Sequence, residues 1–312
     1  MHILRGHQDA GTLARGGAVA LGNFDGVHRG HQVLVQRAVE HARKLGGPAL
    51  AFTFEPHPTR VLAPALAPPL IVPLEHRLDL LEELGLDAVV LEPFTPELAK
   101  TPAEDFVRNV LVGALGIKAA VVGYNFTFGH ARKGNPELLT RLGAELGFLV
   151  DVVNPVDVNG MLCSSTKIRE LVLEGNVEGA AILLGRPFSV RGVVVHGNHR
   201  GRLLGFPTAN VSAPVELLPR LGVYVAQVVL RDVEARPAHP AVVNVGVSPT
   251  FGGGPVTVEA HLLDFTGDLY GQRLEVRFLR RLRDEKRFAG VEQLKAQIEQ
   301  DVAYARRFLS GG

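Results

Sequence analysis

A single cysteine, Cys163, is present among the 312 residues, so the chain can form no internal disulfide, and it suits a reducing compartment. Net charge is nearly absent too: 33 lysines and arginines against 32 aspartates and glutamates leave a formal +1. Such a balance argues against the broad basic footprint of a nucleic-acid-binding protein, so any anion must be held by a local cluster. No apolar run is long enough to span a bilayer, and Met1–Arg15 lacks the apolar core of a secretory signal. Internal repeats and low-complexity tracts are also missing. The expectation is a soluble cytoplasmic protein with no nucleic-acid or membrane partner. What is present is ordinary for a globular chain, 46% hydrophobic and 21% charged, at a length that favours two domains.

The first half alternates short apolar runs with helical periodicity. Strands are expected at Val19–Leu21, Ala49–Phe54, Ala88–Glu92, Ala119–Val122 and Phe148–Val153. Helices are expected near Gln32–Lys44, Leu74–Leu84, Thr101–Leu111 and Pro136–Leu146. That alternation predicts an α/β parallel sheet of Rossmann-like type, which binds ligands beyond the carboxyl ends of its strands. After the helical pattern at Lys167–Leu184 the texture changes to β-rich runs at Ser189–Val195, Val223–Leu230, Ala241–Val245, Thr257–Leu263 and Arg273–Phe278. Glycine and proline turns separate them, the pattern of a small closed β-barrel. A closing helix near Gly290–Leu309 carries Val291, Leu294, Ile298, Val302, Ala305 and Phe308 on a stripe expected to pack on the barrel. The domains are placed at 1–184 and 185–312, with Pro64–Pro73 read as a loop or flap inside the first.

Gly22-Asn23-Phe24-Asp25-Gly26-Val27-His28-Arg29-Gly30-His31 lies between the first strand and a helix whose apolar face is Val35, Ala38, Val39, Ala42 and Leu45. Gly22, Gly26 and Gly30 let the backbone approach a ligand, and the helix start presents N–H groups to an anion. Phe24 and Asp25 belong to the same turn. His28 and His31, three apart, point the same way from the first helical turn, making a socket for nucleotide phosphates. A tight turn with two surface histidines is the plainer alternative.

Three further segments bear on this domain. Phe54-Glu55-Pro56-His57-Pro58 follows the second strand, and its prolines fix the backbone around His57, as a rigid surface turn also would. Gly123-Tyr124-Asn125-Phe126-Thr127-Phe128-Gly129 sets an amide and aromatic rings at one strand end. The rings suit a flat heterocycle and Asn125 can donate and accept at its edge, although one of Phe126 and Phe128 is expected to be core. Ser164-Ser165-Thr166-Lys167-Ile168-Arg169 opens a helix where hydroxyls cap it or bind phosphate and Arg169 supplies a delocalised cation.

In the second half, Gly197 and Gly201 bracket a basic loop ending at Arg202 that could close over phosphates. Gly205-Phe206-Pro207-Thr208-Ala209-Asn210 puts a hydroxyl and an amide on one side of an extended segment, where both could face a metal-bound nucleotide. Glu259 interrupts an otherwise apolar strand and, taken alone, is equally well an exposed residue paired with a cation. Arg283 sits in a charged turn before the last helix.

Gly22–His31 together with Ser164–Arg169 resembles the H-x-G-H nucleotidyltransferases. With Phe54–Pro58, Gly123–Gly129, Gly205–Asn210 and Val258–Phe265 added, the chain resembles the bacterial bifunctional riboflavin kinase/FMN adenylyltransferase (FAD synthetase) family over most of its length. The resemblance implies phosphorylation of riboflavin to FMN in the barrel, then adenylylation of FMN to FAD in the first domain. ATP is the co-substrate of both steps, with Mg²⁺. It implies that His28, His31 and Arg169 serve the adenylyl transfer, with Gly22, Phe24, Asp25, Gly26, Gly30, Ser164, Ser165 and Thr166 around the nucleotide. His57 becomes an edge of the same pocket, and Phe54, Pro56, Pro58, Asn125, Phe126 and Phe128 would face the flavin. In the barrel, Glu259 aligns with the catalytic glutamate of riboflavin kinases and Thr208 and Asn210 would help hold Mg²⁺. Gly197, Gly201, Arg202, Gly205 and Pro207 would line the nucleotide, and Arg283 could approach the flavin.

The chemistry agrees with that assignment. A phosphate nucleophile is already anionic near neutral pH, so adenylyl transfer needs positioning and charge stabilisation. A riboflavin hydroxyl must lose a proton as it attacks the γ-phosphorus, which calls for a base. Two alternatives stand beside this one: a nucleotidyltransferase for another phosphorylated substrate, and a flavin-binding sensor without turnover.

Overall fold

The structure is a computed structural model and describes residues 1–196, 205–247 and 256–311. Packing divides the chain into two compact units, Met1–Ser165 and Thr166–Gly312.

The first unit is built on six parallel strands: β1 (His2–Leu4), β2 (Ala18–Leu21), β3 (Ala49–Glu55), β4 (Ala88–Pro93), β5 (Ala119–Gly123) and β6 (Leu149–Val153). Five of them are the runs expected from sequence. The sixth, β1, is three residues long and pairs with β4 at the sheet edge, too short to give a period of its own. Spatial order is β1-β4-β3-β2-β5-β6, so the chain winds one way from β2 and the other way from β5. The reversal falls between β2 and β5, and loops leaving their carboxyl ends diverge there to leave a crevice.

Helices α1 (Arg29–Leu45), α2 (Pro58–Leu62), α3 (Leu74–Glu82), α4 (Ala103–Asp105) and α5 (Pro136–Leu146) connect the strands, α4 continuing as a π-helical segment over Phe106–Ala114. Helix α1 buries Leu34, Val35, Ala38, Val39 and Ala42, whereas Leu45, expected on this face, is exposed. It occupies the last turn, where Gly46 adopts a left-handed φ of 67° and turns the chain away. The main core joins Val19, Leu21, Leu50, Phe52, Val90 and Val122 to Phe106, Leu111 and Leu142.

Helices α6 (Ser165–Glu174) and α7 (Val177–Leu184) lead into the second unit. The sequence places a boundary near Leu184, where helical periodicity gives way to β-rich runs. By packing, nearly all of both helices groups with the second unit, where α7 packs on strands of the barrel and Glu178 pairs with Arg280. Helical periodicity shows that a face is buried, not against which neighbour.

The barrel closes in the order β10-β13-β12-β11-β14-β9, with every neighbour antiparallel. Its strands are β9 (Phe188–Val195), β10 (Ala209–Ser212), β11 (Gly222–Leu230), β12 (Ala238–Val247), β13 (Val256–Leu262) and β14 (Arg273–Arg283). Phe188, Tyr224 and Phe278 meet in its interior. Helix α8 (Val291–Leu309) covers one outer face through Val302, Ala305 and Phe308, packed on Val223, Val225 and Val242. Only the second half of the expected stripe is used in this way: Val291 is exposed and Leu294 and Ile298 are half-buried. Among the described residues no helix is long and apolar enough to cross a membrane.

Candidate active sites

Leaving β2, the chain makes its turn with two residues that rarely accept a left-handed backbone: Phe24 at φ 51° and Val27 at φ 43°, both fully buried. Strain of this kind persists only where surrounding contacts fix it, and it concentrates at functional sites. Here Gly22 N–H donates to Phe52 O, while the Asn23 carbonyl accepts from Thr53 Oγ1 (3.2 Å) and from Arg77 (3.0 Å). Gly26, at φ 81°, lies so close to Ile71 that an added Cβ would come within 3.0 Å of it.

His28 caps α1, its Nδ1 accepting from the His31 N–H at 3.3 Å. The two imidazoles stack with centroids 3.7 Å apart, and Phe24 meets His31 edge-on at 5.3 Å. His31 Nδ1 is buried with no hydrogen-bond partner among the described residues. Burial, then the neighbouring His28 and the Arg77 charge, hold the His31 pKa well below 6.5, so the ring is neutral at pH 7. The N-terminus of α1 is not the row of bare donors expected from sequence. His31 N–H is capped by His28, and the Gly30 backbone hydrogen-bonds Cys163, whose thiol pKa burial pushes up.

Asp25, in the same turn, has a structural partner. Its buried carboxylate accepts from Ile71 N–H, at 3.0 and 3.2 Å to the two oxygens, so it tethers the proline-rich 64–73 segment. Ser165 Oγ donates to Asp25 O at 3.0 Å, which brings the Ser164–Ser165 segment to the same turn. Thr166 is exposed and Arg169 half-buried on α6.

After β3, Phe54 packs edge-on between Phe52 and Phe94, and His57 caps α2 with Pro58 at its first position. The exposed Pro56 precedes His57, whose Nδ1 accepts from Thr59 N–H. After β5, Asn125 is exposed; Phe128 is core, packed on Phe106, and Phe126 stacks on it half-buried, so one ring of the two is core as expected. The sheet order places the Gly22–His31 and Gly123–Phe128 loops on adjacent strand ends at the reversal.

Arg77 was missed from sequence. It is 2% exposed, and besides the Asn23 carbonyl it binds Glu55 Oε2 at 2.6 Å. The available signal was a cation on the apolar stripe of α3, in phase with Leu80 and Leu81.

In the barrel, Asn210 of β10 stands directly opposite Glu259 of β13, and Glu259 directly opposite Asn244 of β12. Paired residues share a face, and these three half-buried side chains alternate with buried neighbours that fill the interior. They therefore form a polar row on the outer wall, and Thr208 lies two residues before Asn210, just ahead of β10. Asn244 is the second residue that sequence reasoning missed; a lone amide among valines was the sign. Its Nδ2 donates to Glu285 at 3.3 Å. The Pro207 carbonyl accepts from His261, and Gly205 takes a left-handed φ of 86°. Arg283 is engaged by Asp301 in a two-pronged ion pair (2.7 and 3.1 Å) and by Asp284 O. Gly197, Gly201 and Arg202 lie outside the described residues.

Family models match both halves: FAD synthetase over residues 11–167 and riboflavin kinase over 184–309. The chain belongs to the bifunctional riboflavin kinase/FMN adenylyltransferase family. The family's enzyme from Pseudomonas fluorescens is 40% identical over 307 residues, spanning 98% of this chain and 97% of that one. The enzyme from Escherichia coli K12 is 38% identical over 99% and 98% of the two chains, and that from Haemophilus influenzae 35% over 99% and 100%. A crystal structure described as a macrolide-efflux protein from Streptococcus pneumoniae superposes with a TM-score of 0.87 at 35% identity, covering 97% of this chain and 98% of that one. Each of the two activities that give the family its name thus has a matching half in this enzyme.

Proposed function

We propose that segment 1–184 adenylylates FMN and segment 185–312 phosphorylates riboflavin, each drawing on its own molecule of ATP. The observation that carries this reading is that each compact unit holds its own cluster of the matched motif residues: the turn, stacked histidines and flavin-facing loop in one, and the Asn210–Glu259 row in the other.

In the adenylyl transfer, the FMN phosphate attacks the α-phosphorus of ATP and pyrophosphate leaves. His31, neutral and buried beside His28, is suited to donate a hydrogen bond to a phosphate oxygen without first giving up a proton. Ser164 and Ser165, beside the same turn, add hydroxyl donors for the polyphosphate. Phe126, Phe54 and the Pro56–Pro58 segment supply apolar surface for the isoalloxazine, and Asn125 a polar edge.

In the kinase, Glu259 accepts the proton of the riboflavin hydroxyl as that oxygen attacks the γ-phosphorus, leaving FMN and ADP. Mg²⁺ typically binds few protein oxygens and keeps waters and substrate phosphates as its other ligands. Asn210, opposite Glu259, and Thr208 two residues before it fit that pattern as neutral oxygen donors, and among the described residues no cluster of three acidic, histidine or cysteine side chains offers a protein cage. When bound, the ion would neutralise phosphate charge. Gly205, Pro207 and the loop at Gly197, Gly201 and Arg202 are assigned to the nucleotide. Use of ATP and a free cysteine suit the cytoplasm.

The test is to incubate the enzyme with riboflavin, ATP and Mg²⁺ and to separate the products by chromatography. FMN and FAD should both appear. His28→Ala should stop at FMN, and Glu259→Gln should make FAD only when supplied with FMN. No flavin phosphate at all would favour a sensor.

A further inference from the structure

The Asn23 carbonyl sits immediately before the left-handed Phe24, where the direction of one peptide decides whether the turn delivers His28 and His31 to the helix start. Two donors fix that carbonyl from inside the fold, Thr53 Oγ1 at 3.2 Å and the Arg77 guanidinium at 3.0 Å. The same guanidinium binds Glu55 at 2.6 Å, one residue before Pro56 and two before His57. Arg77 therefore joins the loop that follows β2 to the loop that follows β3, the two segments assigned to nucleotide and flavin. It comes from α3, an element that carries none of the matched motifs. A guanidinium can do this because its donors diverge in a fixed plane.

We propose that Arg77 is a positioning residue for adenylyl transfer, holding the histidine turn and the Glu55–Pro58 segment in one arrangement. The proposal rests on the reading of the first half as the FMN-adenylylating half. Its charge also helps keep His31 neutral, a smaller cause than burial and the neighbouring His28. With rings stacked at 3.7 Å, a second proton on the pair would drive them apart. Arg77 thus protects the stack in two ways, by fixing the peptide beneath it and by opposing protonation.

The test compares Arg77→Met, Arg77→Gln and Arg77→Lys in the full-length enzyme, with riboflavin phosphorylation as an internal measure of intact protein. FAD formation from FMN and ATP is followed from pH 5 to 9, and the His31 ring is titrated by NMR with His31→Gln fixing the assignment. Arg77→Met should lower kcat for FAD formation about 100-fold, with KM for ATP changed less than about 5-fold and the kinase rate retained. Its acid limb and the His31 titration should both move to higher pH. Arg77→Lys should recover at least about 10-fold of the lost kcat and the wild-type acid limb. If Arg77→Met does not fold, Arg77→Gln against Arg77→Lys carries the comparison, and the acid limb of Arg77→Gln must lie at higher pH. Equal loss in both with an unmoved limb and titration would reduce Arg77 to a structural role, and a wild-type rate in Arg77→Met would overturn the proposal outright. Failure of the wild-type enzyme to make FAD at all would instead sink the functional reading on which it rests.

Discussion

The imidazoles of His28 and His31 lie face to face, centroids 3.7 Å apart and planes within 17° of parallel. Such a pair cannot carry two positive charges, and the buried His31 is the ring whose proton affinity is reduced. On the proposed role of this turn, phosphate binding at neutral pH would rest on oriented N–H donors rather than on two imidazolium charges.

A pH dependence of stability follows. Below about pH 6.5 the unfolded chain takes up a proton at His31 that the folded chain refuses. Folding stability accordingly falls as pH drops, by up to about 1.4 kcal/mol per pH unit from this group, until its lowered pKa is reached. No contribution from it remains above pH 7, where both states are neutral. Urea unfolding of the first half at pH 7 and pH 5.5 should show about 1 kcal/mol more acid destabilisation in wild type than in His31→Gln. Equal acid sensitivity would contradict the assignment of a neutral His31.

Gly30 has an ordinary helical backbone, yet a Cβ there would lie 3.1 Å from the His28 ring and 3.7 Å from Cys163 Cβ. Gly30→Ala therefore leaves α1 able to form and forces the His28 ring to shift within its stack. FAD synthesis should fall at least 10-fold while riboflavin phosphorylation and the thermal midpoint stay near wild type. A fully active Gly30→Ala enzyme would show that the stack is not needed for adenylyl transfer.

In the barrel, Asp301 of α8 receives three contacts from Arg283 at 2.7–3.1 Å, and both side chains are largely buried. Removing one partner strands the other charge, at a cost of about 3 kcal/mol. Asp301→Ala should lower the melting temperature of the kinase half and loosen α8, seen as faster amide exchange over 291–309. Adenylylation of supplied FMN should persist. Arg283→Leu should cost a similar amount, because each stranded charge keeps one partner at 3.1 Å, Asp284 O for Arg283 and the Gln297 amide for Asp301.

The elements were legible because their periods are clean: alternation and apolar runs for the strands, and a single buried face for α1 and α5. The motifs were legible for a different reason, since glycine, histidine and hydroxyl residues cluster where a strand ends. What escaped the sequence depends on partners distant along the chain. Arg77 acts across 54 residues on Asn23 and across 22 on Glu55, and only folding reveals what lies opposite a cation on an apolar stripe. Asn244 acquires meaning from its register with Glu259. The resemblance alone places Asp25 around the nucleotide, and its bond to Ile71 lies 46 residues away.

That bond makes the 64–73 segment a testable part of the first half. Leu66 at its tip is 79% exposed, whereas Ile71 and Val72 are buried next to the histidine turn. The Asp25 carboxylate holds the segment by the Ile71 N–H, a hydrogen bond to a charged acceptor worth about 1.5–3 kcal/mol. Asp25→Ala leaves that N–H unsatisfied and removes the anchor without touching the exposed tip. Thermolysin cleavage beside Leu66 should then speed up about 10-fold or more, and KM for FMN or ATP in FAD synthesis should rise while riboflavin phosphorylation is unaffected. Asp25→Asn keeps an acceptor oxygen and should fall between the two. Cleavage at the wild-type rate in Asp25→Ala would mean that Ile71 and Val72 are held by apolar packing alone, and that the carboxylate is available to the nucleotide after all.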